Sequence, residues 1–326
     1  MKKLSAVVTL LFVLLLPVFV CADLTVACID VGQGDAALIQ CDGHNMLIDA
    51  GTNASTEILL SYLDDIGVKT IDLVVGTHPH EDHIGGLDKA IERYDVKNVW
   101  MPRVQADTRT FEDVLLAIQS KGLKITAPTP GTTFVLGGAA ITALAPNSVS
   151  YSETNDYSIV LRIDYGSTSF LFTGDAEAAS ESEMLAAGAD LHADVLKIGH
   201  HGSSSSTTDA FLDAVDPDYA IVSCGADNSY GHPHGETVSK LNAYGVRILR
   251  TDELGTITIR SDGEKISLSN FDRDDDAAIT YIGNKNSKKF HLSSCGSLPA
   301  EKNQVFFNGR EEAIDAGYDP CKKCKP

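Results

Sequence analysis

Three histidines and one aspartate fall within six consecutive residues of the chain: His78, His80, Asp82 and His83. They directly follow an apolar run, residues 71–76, which predicts a buried strand. Neutral imidazole and carboxylate are the ligands that divalent transition metals prefer, at about 2 Å. A loop that leaves a strand can bring such side chains to one point. The spacing therefore predicts a metal site and argues against a surface loop that is histidine-rich by chance.

Two such ions need more ligands than one loop offers, and further candidates follow other predicted strands. Asp49 ends the run Leu47-Ile48-Asp49, and Asp175 ends Phe172-Thr173-Gly174-Asp175. His200 and His201 follow the apolar run 195–198. A layered α/β sheet presents its site at the carboxyl ends of its strands. Each candidate is weak alone, and together they predict one shared site.

The elements that must position these residues are short strands alternating with amphipathic helices. Predicted strands include 24–29, 36–40, 46–49, 71–76, 96–101, 158–164, 169–172, 195–198 and 219–223. Predicted helices include 57–66, 86–94, 111–120, 176–187, 209–215 and 236–244. Alternation of this kind predicts a layered α/β domain over residues 23–270. The acidic run at 271–280 predicts a solvated linker, and 281–326 a second, small domain.

The composition is that of a globular protein: 326 residues, 43% hydrophobic, with a net charge of −19. No collagen-like or heptad repeat is present. Residues 281–326 carry a net charge of +3, which leaves −22 on residues 1–280. The main body should therefore not bind a polyanion by bulk attraction, so such binding must come from a local site or from the tail.

The amino terminus predicts export. Lys2 and Lys3 precede an apolar run, and Val20-Cys21-Ala22 fits a signal-peptide cleavage site. The sequence thus predicts a signal peptide at 1–22, a secreted protein and no stable membrane insertion after cleavage. Retention by an uncleaved signal, or by a lipid on Cys21, is the alternative. Cys28, Cys41 and Cys224 are interpreted as buried small hydrophobes, with a disulfide between the first two left open.

Taken together, these motifs resemble the metallo-β-lactamase superfamily. Three further segments narrow the resemblance to the extracellular hydrolase domain of ComEC-type competence proteins: Asp30–Ala36, Asn155–Ser158 and His232–His234. The resemblance covers roughly residues 24–270. It implies an αββα sandwich that binds two divalent ions, zinc or manganese.

The resemblance also implies roles for individual residues. His78 and His80 would hold the first metal, and Asp82 and His83 the second. Asp175 would bridge the ions, His200 would complete the second site, and Asp49 would orient a ligand imidazole. The superfamily usually supplies another histidine to the first metal, but none lies between His83 and Asp175. Asn155 and Ser158 occupy that region instead and are predicted to bind substrate.

Two adjacent cations activate a water and stabilise the leaving oxygen, so Asp82 is also predicted to be catalytic. His201 and His232 are the candidate general acids, because neither is assigned as a ligand. Ser203, in the loop 202–206, is a candidate for holding a phosphate oxygen, although such a run is equally a flexible loop.

The tail predicts a separate zinc site. His291 and Cys295 form one pair and Cys321 and Cys324 another, 25 residues further on. This spacing is typical of structural zinc, which a unit of ~45 residues needs in order to fold. The segment resembles the amino-terminal zinc domain of Ada-type DNA-repair proteins, in which the first ligand is normally cysteine. A disulfide from Cys295 to Cys321 or Cys324 is the alternative.

The sequence thus predicts a secreted, metal-dependent phosphodiesterase, with DNA or another phosphodiester as its substrate and DNase activity as the leading hypothesis. A phosphocholine esterase, a lactonase or a β-lactamase would use the same site. A non-catalytic extracellular DNA-binding protein is the remaining alternative.

Overall fold

A computed structural model of the chain describes residues 23–268, 281–291, 295, 297–307, 313–314, 316–321 and 323. The predicted signal peptide and linker, together with Cys21 and Cys324, lie outside these residues. Within the described part of the chain, no helix combines the length and the apolar character needed to cross a bilayer.

The strands are β1 (Leu24–Cys28), β2 (Ala37–Cys41), β3 (His44–Ile48), β4 (Thr70–Ile71), β5 (Leu73–Val75), β6 (Asp95–Val96), β7 (Val99–Trp100), β8 (Ile125–Thr126), β9 (Thr133–Leu136), β10 (Ala139–Ala145), β11 (Val160–Tyr165), β12 (Thr168–Phe172), β13 (Val195–Lys197), β14 (Tyr219–Val222), β15 (Arg247–Arg250), β16 (Ile257–Ser261), β17 (Ile266–Leu268), β18 (Tyr281–Asn284), β19 (Lys289–His291), β20 (Gln304–Phe307) and β21 (Asp319–Pro320). The α-helices are α1 (Thr56–Asp65), α2 (Glu81–Ile84), α3 (Leu87–Arg93), α4 (Arg109–Ser120), α5 (Ala178–Ala186), α6 (Asp209–Val215), α7 (Gly235–Tyr244) and α8 (Thr251–Leu254). Short 3-10 helices lie at Asn53–Ser55, Thr154–Tyr157, Gly199–Gly202 and Glu301–Asn303.

Two sheets form the main body. The first has the strand order β17-β16-β1-β2-β3-β5-β7-β8 and the second β15-β14-β13-β12-β11-β10-β9. Antiparallel pairs adjoin a parallel block in each sheet, β3-β5-β7-β8 in the first and β12-β13-β14-β15 in the second. Parallel strands place their carboxyl ends at one edge, where the ligand loops leave the sheet.

The core has three layers of apolar contact. One lies between the sheets and includes Val26, Ile39, Ile163 and Phe170. A second lies between the first sheet and helices α1, α3 and α4. The third lies between the second sheet and helices α5, α6 and α7. The predicted αββα sandwich is therefore confirmed.

Helix α4 shows how local sequence builds an outer layer. The hydroxyl of Thr108 accepts a hydrogen bond from the Phe111 backbone and caps the amino terminus. Val114, Ala117 and Ile118 are buried, and their spacing of three and four positions puts them on one face. Capping and periodicity together explain why this helix was predictable.

The apolar run 71–76 forms two strands rather than the predicted one. The run divides at Asp72, whose Oδ2 accepts a hydrogen bond from the backbone N–H of Asn45 at 2.9 Å. Strand β4 pairs with β6 in a separate small sheet, whereas β5 enters the first sheet. Strands β9 and β15 were not predicted, because one is largely exposed and the other has arginine at both ends.

Cys28, Cys41 and Cys224 are buried free thiols, as predicted, so no disulfide joins the first two. The described part of the tail forms a separate sheet with the order β20-β18-β19-β21. One face of that sheet packs a small core of Tyr281, Phe290, Phe307, Ala313 and Tyr318.

Candidate metal centre

Ligand-type side chains follow four strands whose carboxyl ends share an edge of the sandwich. Asp49 follows β3, and the segment 77–83 follows β5. Asp175 follows β12, and the histidine pair 200–201 follows β13. Because β3 and β5 are parallel, as are β12 and β13, residues far apart in sequence meet between the two sheets.

These side chains form two clusters that share one imidazole. His78, His83 and Asp175 present ligand atoms within 4.8 Å of one another, and so do Asp82, His83 and His201. Asp175 also lies close to the second cluster: its Oδ1 is 3.1 Å from His83 Nε2, and its Oδ2 is 3.9 Å from His78 Nε2 and 3.6 Å from His201 Nε2. This is the arrangement expected of a carboxylate between two ions.

In His78, His83 and His201 the ring nitrogen Nδ1 contacts a neighbouring polar group, and the other nitrogen, Nε2, faces the centre of the site. Asp49 Oδ2 lies 2.8 Å from His83 Nδ1, as predicted for an orienting acid. His201 Nδ1 bonds the carbonyl of Ser223 at 2.9 Å. His78 Nδ1 lies 3.2 Å from the hydroxyl of Thr77. Partners on the rear nitrogen fix the tautomer and the direction of a metal ligand.

A metal fits this site, because three of the ligand atoms that face the centre lack hydrogen-bond partners. Among the described residues, His83 Nε2, His201 Nε2 and Asp175 Oδ1 are buried without a hydrogen bond. His83 Nε2 and Asp175 Oδ1 are only 3.1 Å apart but lack hydrogen-bond alignment. An unpartnered buried polar atom costs about 1–3 kcal/mol, and a shared ion would remove that cost.

The pKa values of the buried histidines and of Asp175 also indicate a site for cations. Burial lowers the pKa of His83, but Asp175 and Asp49 outweigh burial and hold the pKa well above its ordinary value. In the same way, Asp175 and Asp35 outweigh burial and raise the pKa of His201 to about 10. Burial raises the pKa of Asp175, but His83 and His201 hold it well below its ordinary value. The site thus carries surplus negative charge, which protons or divalent cations must balance.

The structure brings His201, and not His200, to Asp82 and His83. His201 is buried, with its Nε2 3.3 Å from Asp82 Oδ2. His200 Nδ1 lies 3.0 Å from Glu177 Oε1 and its Nε2 lies 3.8 Å from Asp175 Oδ2, but His200 is not part of the cluster with Asp82 and His83. Both histidines have positive φ angles, 49° and 53°, and their side chains contact different partners. The sequence predicts His200 as a ligand and His201 as a general acid, whereas this geometry favours His201 as the ligand beside Asp82 and His83.

Two predicted site residues, His80 and Ser158, contact His78 from different sides. His80 is exposed, with its Nδ1 3.0 Å from His78 Nε2. Ser158, predicted to bind substrate, is fully buried; its hydroxyl accepts the Asp175 N–H at 3.1 Å and lies 3.4 Å from His78 Nδ1. Ser158 thus supports two candidate ligands from behind. Asn155 does line the open cleft above the centre.

Ser203, the other predicted substrate contact, is buried, and its hydroxyl lies 2.9 Å from that of Ser205. It does not line the cleft, because its loop folds back on itself. The cleft has a volume of ≈ 520 Å³ and is lined by Gln33, Thr52, His80, Glu81, Asp82, Asn155, Asp175, His200, His201, Tyr230 and His232.

His232 lies over the centre without joining either cluster. Its ring stacks at 6.1 Å from that of His201 and at 5.6 Å from that of Tyr230. Its Nδ1 has no hydrogen-bond partner among the described residues. Burial, with the charge of His201 next, lowers its pKa to about 4. The imidazole is therefore neutral at neutral pH, which argues against the predicted role as a resting general acid.

Sequence reasoning missed two buried residues behind the site, Asp35 and Lys197. Their side chains form an ion pair of 2.8 Å. In the sequence, Asp35 is noticed only as part of a family motif. Lys197 lies in an apolar strand, and no spacing pattern around it indicates a function. A lysine inside a strand as buried as β13 was the one available signal.

The tail brings three of its four predicted ligands together. His291, Cys295 and Cys321 are buried and place ligand atoms within 4.8 Å of one another. His291 Nδ1 lies 3.4 Å from Cys295 Sγ, and Cys295 is a free thiol. The described geometry thus favours metal over a disulfide between these two cysteines.

Two sequence families match the chain. Residues 29–226 match the metallo-beta-lactamase superfamily, and residues 270–326 match the metal binding domain of Ada. Among solved structures, the metallo-beta-lactamase fold protein YhfI from Bacillus subtilis is similar with a TM-score of 0.52 at 15% identity, covering 73% of this chain and 100% of that one. This likeness shows a common fold.

Three curated bacterial proteins are similar over most of the main body. ComE operon protein 3 of Bacillus subtilis is 31% identical over 270 residues, covering 77% of this chain and 35% of that protein. Recombination protein 2 of Haemophilus influenzae is 32% identical over 71% of this chain and 28% of its own length. Competence protein ComA of Neisseria gonorrhoeae is 29% identical over 70% of this chain and 31% of its own length. The chain thus spans about a third of the length of these relatives.

Proposed function

The chain belongs to the metallo-β-lactamase superfamily and is a metal-dependent hydrolase, and from that premise we propose that it is an exported phosphodiesterase that cleaves DNA. The observation that carries the proposal is the pair of ligand clusters sharing His83 beneath a cleft of ≈ 520 Å³. Two divalent cations about 3.5–4 Å apart would activate a water and stabilise the oxygens of an in-line displacement at phosphorus.

The ligand assignment proposed here combines the resemblance with the geometry. His78 and His80 would hold the first metal, Asp82, His83 and His201 would hold the second, and Asp175 is near enough to both clusters to serve either. Asp49 keeps His83 in the tautomer that leaves Nε2 free.

His232 acts as a neutral imidazole in this proposal. With a pKa lowered to about 4 by burial, it holds one ring proton at neutral pH and does not give it up. A neutral ring N–H can still donate a hydrogen bond to a developing oxyanion, as preorganised donors do. Its position in the cleft, stacked on His201, would place that donor beside a bound phosphate.

DNA as the substrate class rests on the relatives and on charge. Competence and recombination, the words in the names of the similar proteins, are processes of DNA. The residues that line the described cleft include no lysine or arginine, and residues 1–280 carry −22. The metals would therefore supply the attraction for the scissile phosphate, and the tail, at +3, would hold the flanking strand.

The test is cleavage of plasmid and oligonucleotide DNA by purified protein with Mn²⁺ or Zn²⁺. p-Nitrophenyl-phosphorylcholine, a lactone and a cephalosporin are assayed in parallel. We expect DNA cleavage that EDTA abolishes and that His83→Ala lacks. Turnover of one of the small substrates without DNA cleavage would replace the nuclease by the corresponding esterase, lactonase or β-lactamase. DNA binding without hydrolysis of any substrate would indicate a non-catalytic DNA-binding protein.

A further inference from the structure

A buried ion pair lies behind the metal centre and contacts neither the cleft nor the bulk solvent. The Lys197 ammonium is 2.8 Å from Asp35 Oδ2, and the two side chains are 3% and 8% exposed. Lys197 also donates to the carbonyl of Ile198 at 2.9 Å. Burying two charges costs free energy unless the pair is well fixed, so a buried pair at this position indicates a role at the site.

Asp35 faces the rear of a candidate ligand. Its Oδ1 lies 3.3 Å from His201 Nδ1, whereas His201 Nε2 lies 3.3 Å from Asp82 on the opposite side of the ring. The Nδ1–H donates to the carbonyl of Ser223 at 2.9 Å, and Asp35 adds a full negative charge beside the same nitrogen. An anion at this position makes the imidazole a better donor to a metal at Nε2.

The backbone of Asp35 reaches a second ligand. Its N–H donates to the carbonyl of Asp82 at 3.1 Å, and its carbonyl accepts the N–H of Gly51 at 2.8 Å. One residue thus contacts His201 through its side chain and Asp82 through its main chain. Both of these belong to the cluster that includes His83.

Lys197 determines where the Asp35 carboxylate can go. Asp35, Asp175 and His201 place ligand atoms within 4.8 Å of one another, so an unrestrained Asp35 could compete for the metal. The ammonium holds Oδ2 from the rear. The carboxylate therefore stays on the Nδ1 side of the ring.

We propose that Asp35 is a positioning residue for His201 and Asp82, and that Lys197 fixes it there, so that the pair sets the affinity of the second metal. This role parallels that of Asp49 behind His83. It does not depend on the substrate, and a chain that cleaved no DNA would still test it.

The experiment measures metal content and metal affinity of the full chain, by elemental analysis and by chelator competition with Mn²⁺ and Zn²⁺. Asp35→Asn should weaken the second metal about 10–100-fold, the usual effect of losing a partner of a ligand histidine. His201→Ala and His78→Ala serve as references for loss of the second and the first metal. The pattern of Asp35→Asn should match that of His201→Ala.

The double variant Asp35→Asn with Lys197→Met distinguishes a role of the ion pair in metal binding from a role in stability alone. Neutral residues of similar size often replace a buried ion pair without loss of stability, so the double variant should regain any melting temperature lost by Asp35→Asn alone. Its metal affinity should stay low. Wild-type affinity in either variant would overturn the proposal. Asp194→Asn, which removes a carboxylate bonded to the Ser169 backbone at 2.6 Å, is the control and should leave both metals bound.

Discussion

Oδ2 of Asp49 lies 2.8 Å from Nδ1 of His83, although 34 positions separate the two residues. The same carboxylate accepts hydrogen bonds from the backbone N–H and the hydroxyl of Thr77, at 2.8 and 2.7 Å. One buried acid thus fixes both the start of the ligand loop and its last imidazole. Asp49 reaches them from a left-handed conformation, with φ of 58°, directly after β3.

Replacing Asp49 by asparagine should weaken metal binding. Both oxygens of Asp49 accept hydrogen bonds, whereas asparagine has one oxygen that accepts and one NH₂ group that only donates. The amide therefore cannot accept from both Thr77 and His83 Nδ1, and the imidazole loses its fixed tautomer. We expect affinity for the second metal to fall about 10–100-fold, measured by chelator competition. Unchanged affinity would show that the contact between Asp49 and His83 does not contribute to metal binding.

The two adjacent histidines should behave differently. His201→Ala should remove one metal ion per chain and abolish hydrolysis, because His201 Nε2 lies beside Asp82 and Asp175. His200→Ala should keep the metal content, because His200 pairs with Glu177. Elemental analysis of the two proteins decides between them. Metal loss confined to His200→Ala would restore the assignment made from the sequence.

His232→Phe should lower kcat with no loss of metal, because the stacked ring is kept and only the donor is removed. Removal of an oxyanion donor costs about 10²–10³ in kcat. The loss should be smaller for a p-nitrophenyl phosphodiester than for DNA, since p-nitrophenolate needs less stabilisation. His234→Phe is the matched control: His234 is half-buried, does not line the cleft and bonds Ser204. An equal loss in both variants would count against a role for His232 in the reaction.

Gly34 and Gly32 make a matched pair for the backbone beside Asp82. Both have positive φ, 148° and 74°, but a Cβ on Gly34 would lie 2.4 Å from the Asp82 carbonyl oxygen, whereas a Cβ on Gly32 meets nothing within 4 Å. Each alanine variant adds strain of about 1–3 kcal/mol. Only Gly34→Ala should also weaken the second metal. Thermal unfolding and metal titration together separate the two effects.

The tail zinc should be independent of the main site. Cys321→Ser should release one zinc per chain and unfold the small domain, while hydrolysis of a small phosphodiester continues. Binding to DNA should weaken and depend less on salt, because the domain carries net positive charge. Cys41→Ala, which changes a buried thiol outside every ligand cluster, should keep all of its zinc. Full zinc content in Cys321→Ser would exclude the site.

The sequence alone determined the layered α/β architecture and the main ligand loop. Both depend on residues that are close together in the sequence. Helix α4 is encoded by its capping residue and by the spacing of Val114, Ala117 and Ile118. The ligand loop is encoded by the close spacing of His78 and His83 after an apolar run. Asp175 was found because a carboxylate at a strand end is a local signal too. The family resemblance, carried by such motifs, gave the order of the layers.

Tertiary structure decided what depends on side-chain direction and on contacts between distant segments. Two adjacent histidines look alike in sequence, and only the folded chain, with its left-handed backbone at both positions, places His201 beside Asp82 and His200 beside Glu177. Asp35 and Lys197 meet across 162 positions of chain, and no local pattern encodes that contact. The physical reason is that packing of two sheets, rather than spacing along one strand, fixes which nitrogen of each imidazole faces the centre.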